Sequence, residues 1–430
     1  MKVKIENTRL VKPLYQGTTP RTSDYVPLSV FDKVTYNQHI AVIYAYNPPT
    51  QSNAAIELGL RKALAAYRAW AGRFGEDSGG NPIILLNDGG IRFVEASVDY
   101  ALDRTMLLKP SPFLLSLHPD LKGVAELVQV QLTRFSCGSM VVGFTAHHHV
   151  ADGHSSSNFL VAWGQATRGL RISPLPFYDR MIFPPRNPPK IEFQHCGAEY
   201  IPRNFKKTYP MIDYNIDDVV IHKVHYNAEF ISKLKAKAST NTKRFTTIEA
   251  LLAHLWRAIT RARALNQSDT TRLRISVDGR SRLNPKVPNE YFGNLVLWAF
   301  ATTKVKDLLH EPLSYAAKLL HEAIIKVNDD YFKSFIDYAN HEVKDEVPNT
   351  ESSFDPILWP NLEVDSWLRF PFYDLDFGCG GPYIFMPSFS PVEGMVFLLP
   401  SFLGDGSIEA FVPLFQQSLT TFKQICYSLD

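Results

Sequence analysis

Cysteine is scarce and scattered in this 430-residue chain: Cys137, Cys196, Cys379 and Cys426 lie far apart, with no metal-ligand spacing among them. That argues against a disulfide framework and a cysteine-based zinc site, and free thiols in a reducing, cytoplasmic compartment are expected. No stretch approaches the roughly twenty apolar residues of a membrane span. Met1 to Asn7 carries no apolar run of signal-peptide length, so no membrane partner and no secretory route are expected. Charge of one sign is never blocked: the formal net charge is +2 with both signs interspersed, which argues against nucleic acid as a partner. There is no P-loop or dinucleotide-binding pattern, and Gly153-His154-Ser155-Ser156-Ser157 lacks the second glycine of a nucleophile elbow. What remains, at 45% hydrophobic and 20% charged residues, is a soluble globular chain too long for one ordinary core.

The most informative stretch is Thr145-Ala146-His147-His148-His149-Val150-Ala151-Asp152-Gly153, after an apolar run that reads as a strand and before a helical run from about Ser155. Only His148 stands four residues before Asp152. On extended backbone it faces away from His147 and His149, which share the other face. Histidine supplies a base that titrates near neutrality, and a strand end is a common place for one.

Around it, Val3 to Val11 reads as a strand and Asn53 to Arg73 as an amphipathic helix. Ile83–Leu86 and Ile91–Val94 read as a hairpin across Asn87-Asp88-Gly89-Gly90, and Leu127–Phe135 and Ser139–Ala146 as a second across Cys137-Gly138. The helix after Gly153 should bury Phe159, Leu160, Trp163 and Ala166 and stop at Gly169. A proline-rich run over 173–210 looks like a crossover, so the expected division is 1–172, a linker over 173–210, and 211–430. The second half opens with a strand over Val219–Tyr226 and a helix from Thr247, with Thr246 and Glu249 spaced as in a capping box. Later come a helix over Leu313–Asn328, strands near Met395–Leu399 and Ile408–Val412, and a last helix from Leu414. Helices and strands mix in both halves without strict alternation, which points to two similar α/β domains.

His147-His148-x-x-x-Asp152-Gly153 matches the signature of CoA-dependent acyltransferases, and over nearly its whole length the chain resembles the plant BAHD acyltransferases. Asp278-Gly279-Arg280, Tyr291-Phe292-Gly293-Asn294 and Asp376-Phe377-Gly378-Cys379-Gly380 look like further family elements. The last is usually Asp-Phe-Gly-Trp-Gly; cysteine in place of tryptophan puts details of the CoA channel in doubt. Glu363-Val364-Asp365-Ser366-Trp367 with Ser401 to Gly406 looks like the grass hydroxycinnamoyl-CoA amine transferases.

The resemblance implies two mixed-sheet domains of the chloramphenicol acetyltransferase-like type, joined by the crossover, with the active site between them. It implies acyl-CoA as co-substrate, an amine as acceptor, no bound cofactor or metal, and a monomer. His148 would deprotonate the amine and return the proton to the departing CoA thiolate; Trp367 or Ser366 would donate to the developing oxyanion. Asp152, within the catalytic signature, would brace the fold by pairing with Arg280 rather than touch the reaction. Glu363, placed ahead of Asp365, would attract a cationic acceptor. Lys243, Arg244, Thr246 and Thr247 would meet the CoA phosphates, with surface cations and an ordinary helix cap as the alternative. Asp376, Gly378 and Gly380 would form a turn that needs permissive backbone angles. Rival readings are an O-acyltransferase making esters, a non-catalytic binder of the same fold, and a metal-dependent enzyme using His147 and His149.

Overall fold

The computed structural model describes residues 2–103, 107, 110–120, 123–205, 218–343, 345–350 and 358–429. Of the expected crossover, residues 206–210 lie outside these, as do residues 211–217 of the expected second domain. The chain forms two compact units. The first takes Met1–Asn187, Lys286–Leu295 and Phe370–Phe389; the second takes Pro188–Pro285, Val296–Arg369 and Ser390–Asp430. The first passage between them, at Asn187/Pro188, falls within the proline-rich crossover. Two later segments return to the first unit, which one contiguous division does not provide for.

The first unit is built on a six-stranded mixed sheet in the order Lys4–Val11, Ile91–Val98, Val128–Phe135, Met140–His147, His39–Tyr46, Ile384–Pro387. Only Ile91–Val98 and Val128–Phe135 run parallel. Val128–Phe135 and Met140–His147 are the expected hairpin, with Gly138 at φ +84°. All eight residues of Met140–His147 are buried, as its unbroken apolar run requires of a strand covered on both faces. The helix Gly153–Thr167 buries Phe159, Leu160, Trp163 and Ala166 and packs on the helix Asn53–Ala66. At Gly59 the two approach so closely that a Cβ would lie 2.6 Å from the Thr167 Cα, which leaves room for glycine alone.

Two local expectations change. The first helix ends at Ala66 rather than near Arg73, and a 3-10 turn over Arg68–Ala71 leads into a short strand, Arg73–Glu76. The expected hairpin across Asn87–Gly90 does not form: Pro82–Leu85 pairs with Arg73–Glu76 and Tyr25–Pro27, while Ile91–Val98 joins the large sheet. The cause is Asp88. Its carboxylate is held by Arg68 Nε at 2.8 Å and the Tyr15 hydroxyl at 2.9 Å, so the loop serves those partners instead of closing a tight turn.

The second unit has its own six-stranded mixed sheet, ordered Val219–Tyr226, Ile408–Phe415, Met395–Pro400, Leu362–Ser366, Thr270–Asp278, Val296–Lys304. Leu362–Ser366 lies at its centre, parallel to both neighbours. The helix Thr247–Ala262 presents a broad apolar face, burying Leu251, Leu252, Leu255, Trp256 and Ile259. The chain is therefore α/β with two mixed-sheet units, as expected. Among the described residues no helix is long and apolar enough to cross a membrane.

Candidate active site

Strand pairing stops at His147, and residues 148–150 form a turn before the Asp152-capped helix. His147 and His149 lie on one side with ring centroids 5.4 Å apart; His147 also meets His39 at 4.9 Å and Phe74 at 4.7 Å. Burial, aided by the charges of the neighbouring histidines, lowers the His147 pKa to about 2, and its Nδ1 accepts the His149 backbone N–H at 3.3 Å. Burial likewise lowers His149. Both are packed, neutral rings. Among the described residues, no group of three or more histidine, cysteine or acidic side chains is arranged to hold a metal.

His148 points the other way and is half-buried, with the Tyr36 ring 6.3 Å from its own. Its backbone N–H donates to Gln38, and its Nδ1 lies 3.1 Å from Asn294 Oδ1. Asn294 Nδ2 donates to the His148 carbonyl at 2.8 Å and to Asp32 Oδ1 at 2.9 Å. Asp32 is in turn held by Arg180 Nη1 at 2.9 Å and by Ser29. Asn294, Asp32 and Arg180 are all buried.

One Asp152 oxygen caps its helix, accepting Ser155 N–H at 2.9 Å, and the other accepts Leu295 N–H at 3.0 Å. Ser155 Oγ adds bonds to the Tyr291 and Gly293 carbonyls, both 2.9 Å. Asp152 thus fastens the segment that carries Asn294. Arg280, in the second unit, is buried and donates to Asp278 at 3.1 Å.

The Asp376–Gly380 stretch is a turn: Asp376 Oδ1 accepts Gly378 N–H at 2.7 Å and Cys379 N–H at 3.1 Å, with Gly378 at φ +97° and Gly380 at φ +86°. Neither φ suits a residue with a Cβ.

On the central strand of the second unit, Glu363 pairs with Arg274 at 3.1 Å and Asp365 accepts the Ser276 hydroxyl at 2.9 Å. Since those partners are two apart on the neighbouring strand, the carboxylates share a face. The order of preference between them changes, because Glu363 is neutralised by a guanidinium whereas Asp365 accepts from neutral donors. The second of these is the Trp367 indole, at 2.9 Å. Trp367 has one N–H to give, and with Asp365 taking it the Ser366 hydroxyl is the better oxyanion candidate.

Thr246 and Glu249 form the expected capping box, with Glu249 Oε2 2.7 Å from Thr246 N. Thr247 follows as the first helical residue, and Lys243 and Arg244 are exposed just before it. The Glu249 carboxylate already occupies the helix end, so a phosphate here would rely on the two cations.

Asp32 and Arg180 carry no local sequence signal of this role, and Asn294 stands out only within a family element. Ser29-x-x-Asp32 has the spacing of a cap, but nothing local ties it to residues 148, 180 or 294.

The model of the Transferase family matches residues 1–429. Agmatine coumaroyltransferase-1 from Hordeum vulgare is 50% identical, with all of both chains covered. Putrescine hydroxycinnamoyltransferase 3 from Oryza sativa subsp. japonica is also 50% identical over the whole of both. Among solved structures, the F. sporotrichioides TRI101 complex with coenzyme A and T-2 superposes with a TM-score of 0.75 at 17% identity, covering 93% of this chain and 97% of that one.

Proposed function

The chain belongs to the Transferase family, the BAHD acyltransferases, and on that premise we propose that it moves a hydroxycinnamoyl group from CoA to an amine, giving an amide and free CoA. The observation that carries this reading is full-length 50% identity to relatives named for agmatine and putrescine. The presence of His148 and Asp152 argues against a non-catalytic binder.

An aliphatic amine, with a pKa of about 10, is mostly protonated at pH 7 and must release one proton to solvent before attack. Attack by the neutral amine on the thioester carbonyl gives a tetrahedral intermediate. His148 removes the amine's proton as the C–N bond forms and delivers it to sulfur as the C–S bond breaks. Ser366 is the candidate donor to the oxyanion. Asp365, then Glu363, supplies negative charge for a second cationic group on the acceptor. Lys243 and Arg244, with Thr246 and Thr247, are the candidates for the CoA phosphates. The reading also takes the chain as a cytoplasmic monomer.

Coumaroyl-CoA and feruloyl-CoA would be paired with agmatine, putrescine, tyramine, tryptamine and an alcohol acceptor, with CoA release as the readout. At least one amine is expected to outrun the alcohol, and His148→Ala to lower the rate by about 100-fold or more. A faster alcohol would support the ester-forming alternative, and no turnover with any pair would remove the reading.

A further inference from the structure

The geometry points to the buried Asp32–Arg180 pair as a positioning device for His148, acting through the Asn294 side-chain amide to keep the basic nitrogen of the imidazole at Nε2. This rests on the reading of His148 as the base.

The inference follows from counting donors and acceptors. Two oxygens, Asp32 Oδ1 and the His148 carbonyl, lie 2.9 and 2.8 Å from the same terminal atom of Asn294. Only the NH2 end can donate to both, so the amide has one allowed orientation and its carbonyl oxygen must face His148 Nδ1 at 3.1 Å. An oxygen without hydrogen can only accept. Nδ1 therefore carries the imidazole proton, and Nε2 keeps the lone pair that a general base needs. The Asn294 backbone N–H donates to the same Asp32 oxygen at 2.9 Å, which fixes the amide's origin as well. Asp32 holds its own orientation because Oδ2 is claimed by three donors: Ser29 N and Ser29 Oγ, both at 2.7 Å, and Arg180 Nη1 at 2.9 Å. Arg180 Nη2 is anchored on the Val150 carbonyl at 2.6 Å, two residues from the base. Asp32 and Asn294 are fully buried and Arg180 nearly so, so water does not compete for these bonds.

Asp32→Asn tests the device with almost no change of shape. The three donors at Oδ2 would keep the new carbonyl oxygen on their side and turn the new NH2 toward Asn294. That sets NH2 against the Asn294 NH2, so of the two acceptors that fix the amide only the His148 carbonyl remains, and Asn294 is left divided between its present orientation and a flipped one that would offer NH2 to His148 Nδ1. The expected result is a kcat lowered about 10- to 100-fold with KM for the acyl-CoA within about threefold. In 15N-histidine-labelled full-length protein, the His148 signals should lose the wild-type preference for the Nδ1–H tautomer and gain Nε2–H population. Asn294→Leu is the second variant, for use if Asp32→Asn does not fold; it should lower kcat similarly and leave no preferred tautomer. A folded Asp32→Asn with wild-type kcat, or one whose His148 keeps the Nδ1–H form, overturns the proposal. So does a rate loss matched by loss of folded protein in both variants. The tautomer spectrum needs no acyl acceptor, so its outcome stands apart from whether the amide-forming reading holds.

Discussion

Arg274 and Glu363 are 89 residues apart, yet their side chains meet at 3.1 Å with 10% and 8% exposure, and the guanidinium lies 3.9 Å over the Trp298 ring. Removing one partner of a buried pair leaves the other charge uncompensated, typically at a cost of about 3–5 kcal/mol. Glu363→Ala is therefore expected to lower the melting temperature, and any rise in the KM for amines would be confounded by that loss. Asp365→Asn separates the two effects, since the amide keeps an acceptor oxygen for Ser276 or Trp367 but loses the charge. Its expected signature is a KM for agmatine raised about tenfold with little change for tryptamine, which lacks a second cationic group. Equal KM values in wild type and variant, with melting unchanged, would take Asp365 out of the acceptor site. Residue identity made His148 legible, because a histidine followed by Asp at the right spacing is a local pattern. It could not reveal that Glu363 is neutralised, since the neutralising charge arrives through sheet register.

At the scale of elements, the helix Thr247–Ala262 shows how far local chemistry reaches. Its cap, its acidic first turn and its apolar face are all written within a few residues, and the structure places its start as expected. Thr246→Ala is expected to cost about 1 kcal/mol, measured as a shift in the denaturant midpoint. Burial pushes the Glu249 carboxyl up, but hydrogen bonds from Thr246 and from His321 at 2.7 Å outweigh it and leave the pKa below the ordinary carboxylate value. Its contribution is thus fully present above that ordinary value and is lost as pH falls through the depressed one. The difference between Thr246→Ala and wild type should accordingly shrink in strongly acidic buffer. The failed hairpin over 83–94 is the counterexample. Asn87–Gly90 is good turn chemistry, but Arg68 and Tyr15 bind Asp88 from elsewhere in the chain, and tertiary bonds to a partly buried carboxylate outweigh a modest local preference.

At the scale of the whole chain, buried histidines contribute to the acid response. Burial depresses His147 to about 2 and His254 to about 4, and also lowers His39, His118, His149 and His222 below 6.5. Between each depressed value and about 6.5 the unfolded chain binds the extra proton, so stability is full above that range and falls as pH drops through it. Each such group contributes up to about 1.4 kcal/mol per pH unit. Melting temperature is expected to decline from pH 7.5 to 5, less steeply in His147→Phe, which removes one of the groups while keeping an aromatic ring beside Phe74. A melting temperature flat over that interval would contradict it.

By itself the sequence determined the class of chain, five of its helices, the strand that delivers His148, and the family resemblance, because each is encoded within short stretches. The tertiary structure decided which strands are neighbours, which segments return to which unit, and which carboxylate is paired with a guanidinium. It also turned Asn294 from a letter in a motif into the partner of His148, and brought in Asp32 and Arg180. The physical reason is the same each time. Buried polar atoms must find partners, and in a folded chain those partners are chosen by proximity in space, across separations of 30 to 262 residues here.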